Sequence, residues 1–330
     1  MNPKSLLFLF CSAVFARADT AVVVSAGYSM PVQIPVAPGQ IITFFVSGIG
    51  QSLTQNVVAA AGALPASLAG ISATLQQAGR SVTAPLLEVG PVSTCSPFPP
   101  QPCGTFAAIT VQMPFELIEE VPGSFSVPLP AMLSIAENGS PVAVVQLMPN
   151  VDNIHVIKAC DLLLAPLTLR SAGRCNPSVT HADGSVVSAS NPAKGGETLV
   201  LYAFGLGRTV TAVATGEPSQ APASASFPHA LDFAFRANAL PTQPKPLAPD
   251  SSASTPASVF AGLSPGSIGL YQVNFVVPPV PAGLPPCDNP NTYYSVQSNL
   301  TVSIGGVTSF DGAGICVDTG AATINLESDR

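Results

Sequence analysis

Residues 197–207 read ETLVLYAFGLG, and residues 40–50 read QIITFFVSGIG. Laid over each other, Pro35, Gly39, Gly48 and Gly50 fall on Pro192, Gly196, Gly205 and Gly207 at one offset of 157 positions, for example 205 minus 48. In each copy a run of apolar, β-branched and aromatic residues is bounded by Pro and Gly on one side and stopped by Gly on the other. That is the pattern of a strand buried on both faces. A helix is excluded by the shortness of each run and by its Pro and Gly boundaries.

Working outward, other phrases repeat in the same order. APLLEVGP (84–91) is answered by ASVFAGLSP (257–265), and AITVQMP (108–114) by YQVNFVVP (271–278). Each half closes on an expected hairpin: AMLSIAENGSPVAVVQL turns at Asn138-Gly139, and NLTVSIGGVTSF turns at Gly305-Gly306. Both dipeptides suit tight two-residue turns. Short strands spaced by such turns, with hardly any amphipathic helical pattern, predict an all-β chain with a β-sandwich in each half. Residues 1–18 are expected to be a signal peptide, 19–160 the first domain, 161–190 a connector, and 191–330 the second domain. A Pro/Ser-rich internal loop is expected at 241–258.

The composition excludes several classes. Charged residues are 9% of the chain against about 25% in ordinary globular proteins. MNPKSLLFLFCSAVFARA has the charge, short apolar run and small-x-small site of a secretory signal, with cleavage after Ala18. Removing Lys4 and Arg17 takes the net charge from −7 to −9. No basic patch is left for nucleic acid or an anionic membrane. Residues 57–75 carry no charge, but Pro65, Gly62 and Gly70 make them an exposed small-residue loop leading into a strand. No membrane span is expected in the mature chain, and the protein is placed outside the cell or in the periplasm.

Seven cysteines minus Cys11 of the signal leave six: Cys95 and Cys103, Cys160 and Cys175, Cys287 and Cys316. An even number behind an export signal reads as disulfides, although many connectivities are open to six cysteines. The sequential one is favoured because each pair closes a short loop rich in Pro, Gly or Asn. A zinc site would need C-x-x-C or His at ligand spacing, and His155, His181 and His229 are not so placed.

Candidate chemistry is sparse. HADGS brings His181, Asp183 and Ser185 into one loop, but neighbours on an extended loop do not converge as a triad must, and no G-x-S-x-G elbow exists. An Asp-Gly turn accounts for it. Gly48-Ile-Gly50 and Gly205-Leu-Gly207 lack the third glycine and the following helix of a dinucleotide site. Asp161, Asp183, Asp288, Asp311 and Asp318 form no calcium-loop run, which leaves only a site assembled from separate loops. There is no Trp, and of five tyrosines only Tyr293 and Tyr294 cluster. They are the candidate recognition loop, between Cys287 and Cys316. No catalytic residue, cofactor or metal ligand is assigned.

HADGSVVSASNPAKGGETLVLYAFGLG, then ASVFAGLSPGSIGLYQVNFVVP and NLTVSIGGV, resemble an uncharacterised C-terminal domain family abundant in secreted acidobacterial proteins. PGQIITFFVSGIG, LPASLAGISATL and APLLEVGP resemble its companion repeat, so the likeness spans most of residues 31–310; STCSPFPPQPCGTF is an insertion in the first half. The resemblance implies tandem immunoglobulin-like sandwiches of the IPT/TIG type, in exported proteins, with no catalytic residues to carry over. The expected function is a non-enzymatic interaction, adhesion or surface-assembly module with a protein or polysaccharide partner. A carbohydrate-binding module is the alternative, and a hydrolase with an unidentified site is third.

Overall fold

The computed structural model describes residues 22–26, 34–94, 104–123, 129–159, 161, 176–238, 259–288 and 295–320. Among them the chain is all β, without a helix, and no helix there is long and apolar enough to cross a membrane. The proposed signal, Cys95, Cys103, Cys160, Cys175, Tyr293, Tyr294 and the 241–258 loop lie outside the described residues.

The first strands are β1 (Val22–Ala26), β2 (Ile34–Val36), β3 (Ile41–Ser47), β4 (Val57–Val58), β5 (Ser67–Leu68), β6 (Ile71–Gln77), β7 (Arg80–Thr83), β8 (Leu86–Thr94), β9 (Gly104–Gln112), β10 (Ala131–Glu137) and β11 (Ser140–Pro149). They make one sheet in the order β1-β3-β9-β8-β4 and another in the order β2-β11-β10-β6-β5, with β7 also on β6. Then come β12 (His155–Val156), β13 (Val179–His181), β14 (Thr198–Phe204), β15 (Ala223–Ser224), β16 (Ala230–Phe235), β17 (Phe260–Leu263), β18 (Tyr271–Val276), β19 (Leu300–Gly305) and β20 (Phe310–Ile315). Their sheets run β12-β14-β18-β17-β15, with β13 also on β14, and β16-β19-β20.

The written repeat is a structural repeat. β3 and β14 begin 157 residues apart, 198 minus 41, which is the offset of the glycines. The order β3-β9-β8-β4 recurs as β14-β18-β17-β15, and β11-β10-β6 as β20-β19-β16. Even the parallel contact recurs: Val36 pairs with Pro149, and Ala193, 157 positions on, pairs with Val317. All six matched glycines have positive φ, between 68° and 85°, so the turns before and after the strand were both duplicated.

Alternation builds the cores. Along β6, β10 and β18 every second side chain is buried, which turns one face of each sheet inward. One large apolar cluster gathers Phe44, Ile71, Leu86, Ile109 and Leu133, and the other Leu199, Leu201, Tyr271, Phe275 and Val302. Each such side chain contributes about 1.5–3 kcal/mol on burial.

The turn at Asn138-Gly139 is the tight hairpin expected, closed by the Glu137–Ser140 pair, with φ of 50° and 81° at its two residues. The other hairpin is different. Gly305 pairs with Phe310, so residues 306–309 form a four-residue loop rather than a two-residue turn at Gly305-Gly306. The reason is a carboxylate from outside the hairpin, described below. Cys287 and Cys316 form a disulfide with a Cα–Cα distance of 5.9 Å, as the sequential pairing predicts for them. Residues 60–62, within the uncharged 57–75 stretch, are exposed loop, and β6 follows from Ile71.

Candidate functional site

The chain crosses from one set of sheets to the other over residues 150–154, between β11 and β12, ahead of the 161–190 stretch that composition marked as a connector. Asp152 in this crossing is fully buried. Its carboxylate accepts the backbone N–H of Val307 (2.5 Å), Thr308 (3.1 Å) and Ser309 (2.8 Å), and the Ser309 hydroxyl (2.7 Å). The Thr308 hydroxyl donates to the Asp152 carbonyl at 2.6 Å, and the Ile154 N–H donates to Ser309 Oγ at 2.8 Å. Successive N–H groups of one loop thus wrap an anion. A Cβ on Gly306 would lie 2.4 Å from Asp152 Oδ2, so the loop must open around the carboxylate and this position must be glycine.

The repeated glycines serve the same junction. A Cβ on Gly205 would meet the Asn153 carbonyl at 2.1 Å, and one on Gly207 the Val151 carbonyl at 2.1 Å. Asn153 donates its N–H to the Gly205 carbonyl and its side-chain amide to the Pro35 carbonyl, each at 2.8 Å. The Tyr271 hydroxyl donates to the Gly207 carbonyl at 2.5 Å, and complete burial pushes this phenol's pKa up, keeping it a donor. Elsewhere in the junction, Arg208 Nε donates to both Glu119 oxygens at 2.8 Å while Nη2 donates to the Leu117 carbonyl. Gly216 N–H donates to Gln112 Oε1 at 2.6 Å, and Phe115 N–H to Thr215 Oγ1 at 2.9 Å. Ile41, Ile157 and Phe204 form an apolar plug between the two large cores.

Three histidines show how the titratable groups are used. His155 is buried between two carboxylates, Nε2 at 2.8 Å from Asp161 and Nδ1 at 3.4 Å from Asp311. Burial opposes its protonation, but the hydrogen bonds and charges of Asp161 and Asp311 outweigh that and raise its pKa. His181 Nδ1 lies 2.5 Å from Glu197 Oε1, and Nε2 lies 3.2 Å from the Asn191 carbonyl. Both ring nitrogens are occupied, so the imidazole does not serve Ser185, whose hydroxyl donates to Asp183 at 2.7 Å. The HADGS loop is an Asp-centred turn. His229 is buried; burial lowers its pKa, against the weaker pulls of the Asp152 charge and of the Phe227 backbone beside the ring.

Asp161 and Asp311 are thus spent on His155, and Asp183 on Ser185. Asp318 accepts the Gly320 N–H, and Asp288 follows the disulfide at Cys287. Among the described residues no group of three or more His, Cys, Asp or Glu is placed to hold a metal ion.

What remains open is surface. On the outer face of the β7-β6-β10-β11 sheet, Met132 stands between Gln76 and Gln146, and Ser134 between Thr74 and Val144. Thr83 pairs with Thr74 and Ser81 with Gln76. None of these outward residues is charged, and Val144 is 59% exposed. Beside β7 lies an open cleft of about 380 Å3 between Leu75, Val82 and Ile118, with Arg80 and Glu116 on its wall. The Gln77 carboxamide in that cleft is committed to the Ile118 N–H and to the Ile118 and Leu129 carbonyls. Sequence reasoning did not single out this face or Asp152. The face was written in the alternation of AMLSIAE; Asp152 carried no local signal.

No family model matches the chain, and no curated protein matches it. Among solved structures, the Yersinia pseudotuberculosis adhesin InvE aligns over 91% of this chain and 58% of its own length, at 12% identity and a TM-score of 0.20. The chain therefore spans a little over half of that protein, and a score so low carries no argument about fold or role.

Proposed function

We propose that this is an exported, non-enzymatic protein of two tandem immunoglobulin-like sandwiches, of the secreted acidobacterial family that its motifs resemble. It acts by presenting surface to a partner at the cell envelope. The observation that carries the reading is the uncharged outer face of the β7-β6-β10-β11 sheet, in a chain whose buried Asp152 is taken up by the loop at residues 307–309. A surface without charge favours an uncharged partner, because no ionic group must be desolvated on contact. The Cys287–Cys316 disulfide supports an oxidising, extracytoplasmic location, and the leader supports cleavage near Ala18. The test is retention of the exported chain, residues 19–330, on the host's envelope fraction and on a panel of insoluble polysaccharides. Capture by envelope proteins supports adhesion or assembly. Retention on a polysaccharide that is lost when Tyr293 and Tyr294 become Ala would establish the carbohydrate-binding alternative. Binding to neither rejects both.

A further inference from the structure

β7 closes one side of the β7-β6-β10-β11 sheet, and only one of its two edges is paired. Its hairpin with β6 turns at Ala78-Gly79, whose φ of 50° and 74° belong to the tight two-residue turn that makes Gln77 and Arg80 a hydrogen-bonded pair. Such pairs alternate along an antiparallel ladder, so Leu75 and Val82 are bonded as well, and the Ala84 N–H on the Ala73 carbonyl at 3.0 Å fixes the same phase. The N–H and C=O groups of Ser81 and Thr83 therefore point away from β6. Both residues are exposed, and among the described residues no backbone hydrogen bond reaches that edge. Natural sheets blunt such edges by shortness, by proline or by a bulge. β4 and β5 have two residues each, and β1 carries a register shift against β3; β7 has four residues, no proline and an unbroken register. On its inward side the sandwich is open. Half-buried Val82 lines the cleft of about 380 Å3, together with Ile118, which is 39% exposed. Arg80 lines it too and has no ion-pair partner among the described residues, while Glu116 takes the Thr215 hydroxyl at 2.6 Å.

We propose that this edge is a docking site for an extended segment of another protein, which adds to β7 as a further strand and seats an apolar side chain in the cleft. The outward N–H and C=O groups select that occupant, because a peptide backbone carries the matching groups at the matching spacing. The segment's residue opposite Val82 faces the cleft, and residues two positions away share that face. In antiparallel pairing the residue two positions further on stands opposite Arg80, where a carboxylate pairs with the guanidinium. The partner is thus a short strand with an apolar residue followed two positions later by Asp or Glu. A second copy of β7 fits less well: pairing Val82 with Val82 sets Ala84 opposite Arg80 and leaves that charge unmatched. The edge borders the outer face of the same sheet, but the inference does not depend on what that face binds.

Titration of the isotope-labelled exported chain with the peptide acetyl-Thr-Val-Thr-Phe-Thr-Glu-Thr-Val-Thr-amide, followed by the backbone amide resonances, tests it. Saturable shifts should centre on Ser81 and Thr83, with a Kd below about 1 mM. N-methylating the two threonines that flank Phe removes the N–H groups facing β7 and should weaken binding at least about tenfold. Ser81→Pro removes an outward N–H while leaving the ladder to β6 whole, and should weaken binding as much with the melting temperature unchanged. Arg80→Glu should reverse the preference between this peptide and its counterpart with Lys in place of Glu. Val144→Lys, on the outer face, should leave binding unchanged. No shift up to about 1 mM, or binding indifferent to N-methylation and to Arg80→Glu, overturns the inference. So does self-association of the free chain that Ser81→Pro abolishes, which would give the edge to a second copy.

Discussion

Replacing Asp152 with Ala removes the acceptor of three backbone N–H groups and one hydroxyl in a site with no exposure. A buried donor left without a partner costs about 1–3 kcal/mol. The N–H groups of Val307, Thr308 and Ser309 share one loop, so their losses do not add fully once water enters the vacated space. The summed cost should be about 3–5 kcal/mol, in the range found when one member of a buried charged network is deleted. For a chain of this size that is a fall in melting temperature on the order of 10 °C. Asp152→Asn should cost nearly as much, because its amide N–H2 would face donors. The assay is urea unfolding followed by far-UV circular dichroism and by tyrosine fluorescence. Because Asp152 ties the crossing segment to a second-half loop, its loss should also separate the two probes into distinct transitions. A change below about 1 kcal/mol with coincident transitions would refute the reasoning.

Disulfide mapping should give Cys95–Cys103 and Cys160–Cys175 alongside Cys287–Cys316, since Thr94 pairs with Gly104 and the Ala159 N–H donates to the Asn176 carbonyl, and these residues flank the four other cysteines. Gly205→Ala should prevent docking of the halves or cost more than about 3 kcal/mol, whereas Gly196→Ala, with the same sign of φ but open space, should cost only about 1 kcal/mol; thermal melts compare the two. The histidines should pull stability in opposite directions with pH. His229 has a lowered folded pKa, so its contribution is present above the unfolded value near 6.5 and lost as pH falls through that value towards the folded pKa; His229→Leu should flatten the stability profile on the acid side. His155 has a raised folded pKa, so its contribution is full below 6.5 and lost as pH rises through the folded value; His155→Gln should flatten the neutral to basic side. Arg208→Lys should lose the paired contact to Glu119 at a cost of about 1 kcal/mol that shrinks in high salt, read from urea midpoints with and without added salt.

The strands were legible because each apolar run is short and bounded by Pro and Gly: IITFFVSG and TLVLYAFG became β3 and β14, and Asn138-Gly139 carried its own turn chemistry. The longer turn after Gly305 was not legible, because its shape is set by Asp152, which lies 154 positions earlier than Gly306 (306 minus 152). Arg208 and Glu119 are likewise 89 positions apart, and neither has a local feature that names the other. HADGS resolved correctly from local geometry, since Asp183 and Ser185 are two residues apart and bond within their own turn. Glu197, which takes His181, sits 16 residues away and was not foreseen. The uncharged face needed only the alternation of β10, but its meaning depends on which strands flank it. Pairing of that kind comes from tertiary structure.

The most direct test of the account is to repeat the envelope and polysaccharide retention assay with Thr74→Lys, Ser134→Lys and Val144→Lys combined. Retention should fall by at least about tenfold while the melting temperature holds. Retention unchanged by three charges on that face would contradict the claim that the protein acts through it.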